Sequence, residues 1–221
     1  MMSVNVLSSN PVSQRLAGSA VLRNTYLLLS MALGVAAATA AASMALKLPH
    51  PGLLVSLVGY FGLLYLTSRF RNQGLGLVFV FALTGFMGYT LGPLLNTYLA
   101  MPGGPQTVMT AFAGTALVFV GLSAYAATTR KDFSFLSGML FVGILVAFVA
   151  GLAALLFELP ALSLAVSAMF VLLMSGLILF ETQQIVRGGE TNYIMATVTL
   201  FVSIFNLFTS LLHLLGFASQ E

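Results

Sequence analysis

Charge-free apolar runs, each closed by a charged residue or a Pro-Gly cluster, set the rhythm of this chain. No Asp, Glu, Lys or Arg lies between Arg23 and Lys47, Lys47 and Arg69, Arg71 and Arg130, Asp132 and Glu158, Glu158 and Glu181, or Glu190 and Glu221. A helix that crosses a bilayer needs about 20 apolar residues. The run from Arg71 to Arg130 has room for two, and Met101-Pro102-Gly103-Gly104-Pro105 divides it with helix breakers. The pattern predicts helices at about 24–46, 52–68, 75–99, 107–129, 134–157, 161–186 and 192–216. A membrane-spanning strand barrel would instead alternate apolar and polar positions over segments of about 10 residues. Leu145-Val146-Ala147-Phe148-Val149-Ala150 does not alternate. The expected fold class is therefore an all-α membrane protein, a seven-transmembrane-helix bundle.

Composition removes the alternatives. Of 221 residues, 59% are hydrophobic and 6% charged, and the mean hydropathy is +1.05. A soluble domain carries roughly 25% charged residues, so a soluble enzyme, a disordered chain and a nucleic-acid binder are excluded. The net charge of +3 is too small to indicate a nucleic-acid partner. The partner that composition does demand is the lipid bilayer. Cysteine is absent, so there is no disulfide, thiolate metal site or cysteine nucleophile. Neither His50 nor His213 has zinc-ligand spacing with an acid, and Gly121-Leu122-Ser123-Ala124-Tyr125 lacks the last glycine of a nucleophile elbow. No enzyme, cofactor or metal is expected.

Orientation follows the basic residues. With seven spans, Arg15, Arg23, Arg69, Arg71, Arg130, Lys131 and Arg187 share one side and Lys47 alone takes the other. The amino terminus is expected in the cytoplasm and the carboxyl terminus across the membrane. Tyr26, Tyr98 and Tyr193 fall at span ends, where amphipathic rings belong. Residues 1–22 read as a polar, flexible cytoplasmic tail, and residues 23–221 as a single transmembrane domain. A cleavable signal peptide is the competing reading of the start, but its apolar core is usually only about 7–15 residues. No internal repeat is visible.

Three constellations stand out. Gly85, Gly88, Gly92 and Asn96 share one face of the third helix, which also contains Pro93. Small residues let helices approach closely in lipid, and Pro93 removes a backbone hydrogen bond, so the face is either a packing seam or a hinge. On the seventh helix Thr199, Ser203, Asn206, Ser210 and His213 form a polar stripe that must face protein or water. The stripe either bonds neighbouring helices or lines a path, and in both cases the seventh helix is central. On the sixth, Glu181 is the one acid carried inside a span. An intramembrane acid is by default a functional hypothesis; the alternative is an interfacial glutamate paired with Arg69 or Arg71. Burial disfavours its charged form, whereas an arginine or a hydrogen bond from Ser203 favours it.

Gly85-Phe86-Met87-Gly88-Tyr89-Thr90-Leu91-Gly92-Pro93-Leu94-Leu95 resembles the signature of the Bax inhibitor (TMBIM) family. So do Arg130-Lys131-Asp132-Phe133-Ser134-Phe135-Leu136, Phe180-Glu181-Thr182-Gln183-Gln184-Ile185 and Leu200-Phe201-Val202-Ser203-Ile204-Phe205-Asn206-Leu207-Phe208. Val21 to Tyr26 and Gly188 to Tyr193 resemble its bacterial YccA branch. The resemblance implies a bundle with the last helix surrounded by the others, in a bacterial inner membrane. It implies two functions: binding and modulating the membrane-anchored FtsH protease, or a pH-sensitive leak of calcium or other cations controlled by two acids. Glu181 matches the first acid, but Ser203 stands at the second, which weakens the leak reading. The protease-modulator reading is independent of that pair, and the cytoplasmic tail offers it a handle.

Overall fold

The computed structural model describes residues 11–219, with side chains from residue 20 onward. These residues form seven α-helices and, among the described residues, no strand: α1 Pro11–Ala45, α2 Leu53–Arg69, α3 Gly74–Leu99, α4 Gly104–Thr128, α5 Leu136–Leu156, α6 Pro160–Arg187 and α7 Tyr193–Ala218. Six agree with the apolar runs to within about three residues at each end. The exception is α1, which reaches back to Pro11. Residues 11–22, assigned to the tail by their polarity, are helical. Proline suits a first helical turn, and no second proline follows before Pro49. Residues 1–10 of the expected tail lie outside the described residues.

The breakers act where they were read, with one refinement. Gly103 adopts a left-handed φ of 71° just before α4, and Pro105 lies inside its first turn instead of ending a helix. Gly188 closes α6 at φ 76°, where its N–H and that of Gly189 cap the Ile185 and Gln184 carbonyls at 3.1 and 2.8 Å. Asn192 opens α7 by accepting from the N–H groups of Ile194 and Met195, both at 3.1 Å.

Six helices are long and apolar enough to cross a membrane; α2, with 17 residues, is shorter. At about 1.5 Å per residue it extends about 25 Å, against about 30 Å of hydrocarbon. Pro51 and Gly52 delay its start, and Arg69 closes it. Even so, Leu54, Val55, Val58 and Tyr65 give it an exposed apolar face. Helix α7 packs against every other helix except α5, whereas α5 lies along α6 and touches α2 through the edge-to-face pair of Phe148 and Phe61.

The α1–α3 seam is built from the glycine face. Val35 and Thr39 lie 3.6 Å from where a Cβ of Gly85 would be. A Cβ on Gly88 would overlap the Thr39 hydroxyl and the Ala36 carbonyl, and one on Gly92 would lie 2.5 Å from Ser43. That approach has a chemical purpose. Pro93 has no N–H, so the carbonyl four residues earlier, Tyr89, loses its helical donor. Ser43, buried on α1, donates to the Tyr89 carbonyl at 3.0 Å. Asn96 donates to Met44 at 3.2 Å, and the Tyr89 hydroxyl to Pro49 at 2.8 Å. The seam is thus a packing surface that repairs its own proline. Tyr98, expected at the lipid interface, is instead buried against α7, where only a glycine, Gly216, leaves room for its ring.

Gly88→Leu is expected to destabilise the protein by about 1–3 kcal/mol through overpacking, and Ser43→Ala by a similar amount through the orphaned Tyr89 carbonyl. Both would lower the melting temperature in detergent. Gly34→Ala, with nothing within 4 Å of its Cβ, should melt like the parent.

Candidate functional site

The last two turns of α6 carry Glu181, Thr182, Gln183 and Arg187, the densest polar run inside any of the helices. Their i, i+1, i+2 spacing spreads them around the helix, so each meets a different neighbour. Glu181 turns into the bundle. It is only 8% exposed, and its Oε1 is buried without a hydrogen-bond partner. Thr182 meets Ser123 of α4 at 3.5 Å. Gln183 reaches the α4–α5 link with both ends of its amide: Oε1 accepts from Phe133 N–H at 2.8 Å, and Nε2 donates to the Lys131 carbonyl at 2.6 Å. Arg187 donates to the Arg130 carbonyl at 3.0 Å and pairs with Asp132 at 3.4 Å.

Asp132 also accepts from the Ser134 backbone N–H at 2.9 Å. That bond first, then the Ser134 hydroxyl and the Arg187 charge, hold its carboxyl below the ordinary value. Its contribution to anchoring the link is therefore complete above the usual carboxylate range and lost as pH falls through it. Beyond α6, Asn192 ties the start of α7 to the α2–α3 turn, donating to the Arg71 carbonyl at 3.2 Å and to Asn72 Oδ1 at 2.8 Å. Three loops at one end of the bundle are thereby fastened together.

The expected site residues do not all converge here. Ser203 is fully buried on α7, but its hydroxyl donates to the Thr199 carbonyl at 2.7 Å, not to Glu181. Asn206 likewise donates within its own helix, to Val202 at 2.8 Å. In apolar surroundings the carbonyl one turn back is the nearest acceptor, and short polar side chains take it. Glu181 lies six residues before the end of α6 and Ser203 ten after the start of α7, a depth difference of about 6 Å. The arginines are not partners of Glu181 either. Helices α2 and α6 do not pack together, and Arg69 and Arg71 are exposed. Among the described residues the ion pair is Arg187–Asp132. Gly85, Gly88, Gly92 and Pro93 belong to the α1–α3 seam. In the stripe of α7, His213 does reach another helix, meeting Ser167 of α6 at 2.8 Å.

Sequence reasoning missed the clamp of Gln183, Arg187 and Asn192. Asn192 had a signal, a capping residue directly before an apolar helix. Gln183 had none, because its partners lie about 50 residues away.

An all-helical bundle with long apolar spans, a glycine face around a proline, and a buried acid near one end defines a polytopic membrane protein. The model of the family described as inhibitor of apoptosis-promoting Bax1 matches residues 18–220, and the chain belongs to this Bax inhibitor family. It is 54% identical over 98% of both chains to the modulator of FtsH protease YccA of Escherichia coli K12, and equally to a protein of another E. coli strain named inner membrane protein YccA. It is 52% identical, over 96% of both chains, to an uncharacterised protein of Pseudomonas aeruginosa.

Gln183→Leu removes both hydrogen bonds to the α4–α5 link and strands the Phe133 N–H, while the Lys131 carbonyl keeps the Arg187 guanidinium as a donor. A loss of about 1–3 kcal/mol is expected, with faster amide exchange confined to residues 129–135. Unchanged exchange there would mean that the link is held by other contacts.

Proposed function

We propose that this protein sits in a bacterial inner membrane as a multi-pass regulator that binds and modulates a membrane-anchored protease of the FtsH type. The observation that carries the reading is 54% identity over 98% of both chains with a relative named for that role. In this reading α2 is a seventh, short span and α7 the axis of the bundle. The seven-to-one division of Lys and Arg puts the amino terminus in the cytoplasm and the carboxyl terminus in the periplasm. The α2–α3, α4–α5 and α6–α7 loops then form one hydrogen-bonded cytoplasmic face. Beside it the amino-terminal segment offers a protease a handle.

Crosslinking the intact protein in bacterial membranes, followed by affinity capture, is expected to recover FtsH identified by immunoblot. Deletion of residues 2–10, which leaves every described helix intact, is expected to lengthen the lifetime of the protein in cells that contain FtsH. Failure to recover FtsH under conditions that capture its known neighbours would overturn the reading.

One observation favours a second reading, a cation leak. The buried, unpartnered Oε1 of Glu181 is a free acceptor inside the bundle. Glu181→Gln is expected to remove a pH-dependent cation flux into dye-loaded liposomes, and Ser203→Asp to sharpen it by adding a second acid. Identical curves for the parent and both variants between acidic and neutral pH would leave only the regulator.

A further inference from the structure

The backbones of α1 and α4 do not approach closely, although both helices pack on α6. Between them, at the end of the bundle that carries most of the basic residues, a cleft of about 420 Å³ opens sideways. Its mouth holds Arg23. Its sides are Tyr26 of α1 with Ala124 and Ala127 of α4, and its floor is Thr182 of α6 beside Ser123. Towards the middle of the bundle it is closed by the rings of Tyr26 and Phe119, 6.0 Å apart.

The chemistry of this cleft is divided by depth. Arg23 is exposed and has neither an acid nor a hydrogen-bond acceptor among the described residues. It stands near the start of the apolar span Ala20–Ala45, where headgroups lie. Directly below it, one and two turns along α1, Leu27 and Met31 are exposed. On α4 the matching positions below Ala124 are Val120 and Leu117, also exposed. These side chains present exposed apolar surface on both helices, leading away from Arg23. Inside the cleft, the Ser123–Thr182 contact of 3.5 Å is long for a hydroxyl pair, so a hydroxyl can turn to another acceptor.

We propose that this cleft binds one anionic phospholipid, with its phosphate on Arg23, a glycerol ester oxygen at the Ser123–Thr182 hydroxyls, and an acyl chain along Leu27, Met31, Val120 and Leu117. A phosphate supplies the negative charge that Arg23 lacks and accepts the forked guanidinium donors. The exposed apolar side chains below Arg23 and Ala124 match the acyl chain. A lipid is favoured over a partner helix because the Tyr26–Phe119 contact makes the cleft too short for a helix to run its length.

The test uses the full chain purified in detergent and offered phosphatidylglycerol and phosphatidylcholine with identical acyl chains. Retained lipid is read by native mass spectrometry and melting temperature by differential scanning. The parent is expected to retain phosphatidylglycerol over phosphatidylcholine by about tenfold, the scale of one charge-assisted contact, and to melt higher with it. Arg23→Gln should erase the preference, while Arg23→Lys keeps most of it and Arg130→Gln all of it. Ala127→Leu, which fills the cleft, should lower retention of both lipids, and its lipid-free melting temperature reports whether it folds. Equal retention of the two lipids by the parent, or an undiminished preference in Arg23→Gln, would overturn the proposal. So would stabilisation by glycerol 3-phosphate alone equal to that by the lipid, which would mark a plain anion site.

Discussion

Hydrocarbon offers no water to a stranded backbone group, so each carbonyl or amide released inside this bundle must find a partner within the protein. Pro93 creates such a debt in the last third of α3, and the fold is arranged around its repair. Ser43 reaches the Tyr89 carbonyl only because α1 lies against the glycine face at Gly88 and Gly92. The same close approach brings Asn96 to Met44 and the Tyr89 hydroxyl to Pro49, which fixes where α1 ends and α2 begins. One missing N–H thus accounts for the tightest seam, the glycines that permit it and the position of the first turn.

The opposite end is organised by side chains that leave their own helices. Gln183 and Arg187 hold the α4–α5 link, and Asn192 holds the α2–α3 turn. Long side chains near a helix end can reach loop backbone, whereas Ser203 and Asn206, deeper in α7, turn to their own carbonyls. Glu181 lies between these regimes. Its Oε1 is buried without a donor among the described residues. A buried acceptor without a partner carries a desolvation penalty of about 1–3 kcal/mol.

Much of this was legible in the chain. Six helices could be placed because charge and Pro-Gly clusters are costly inside a span and therefore mark its ends. The glycine face was legible because small side chains at one-turn spacing have few other uses in lipid, although its partner, α1, was not. The start of α1 was misread because polar residues near a terminus suit a flexible tail and an exposed helical turn equally well. Pairing of Glu181 with Ser203, Arg69 or Arg71 failed for a different reason. Sequence gives depth along a helix but not which helix stands between two others, and α2 packs on α3 and α7 rather than on α6. The Gln183 clamp was invisible because nothing local to Gln183 points to a loop about 50 residues away.

The account turns on whether the short helix α2 crosses the membrane, because that decides whether the clamped loops share the cytoplasmic face with the amino terminus. The direct measurement is the location of the two ends, read with a reporter that is active only outside the cytoplasm. Seven crossings predict activity when it is fused after Glu221 and silence when it is fused at Met1. A silent reporter at both ends would mean an even number of crossings, and would contradict both the seven-span bundle and the face built on it.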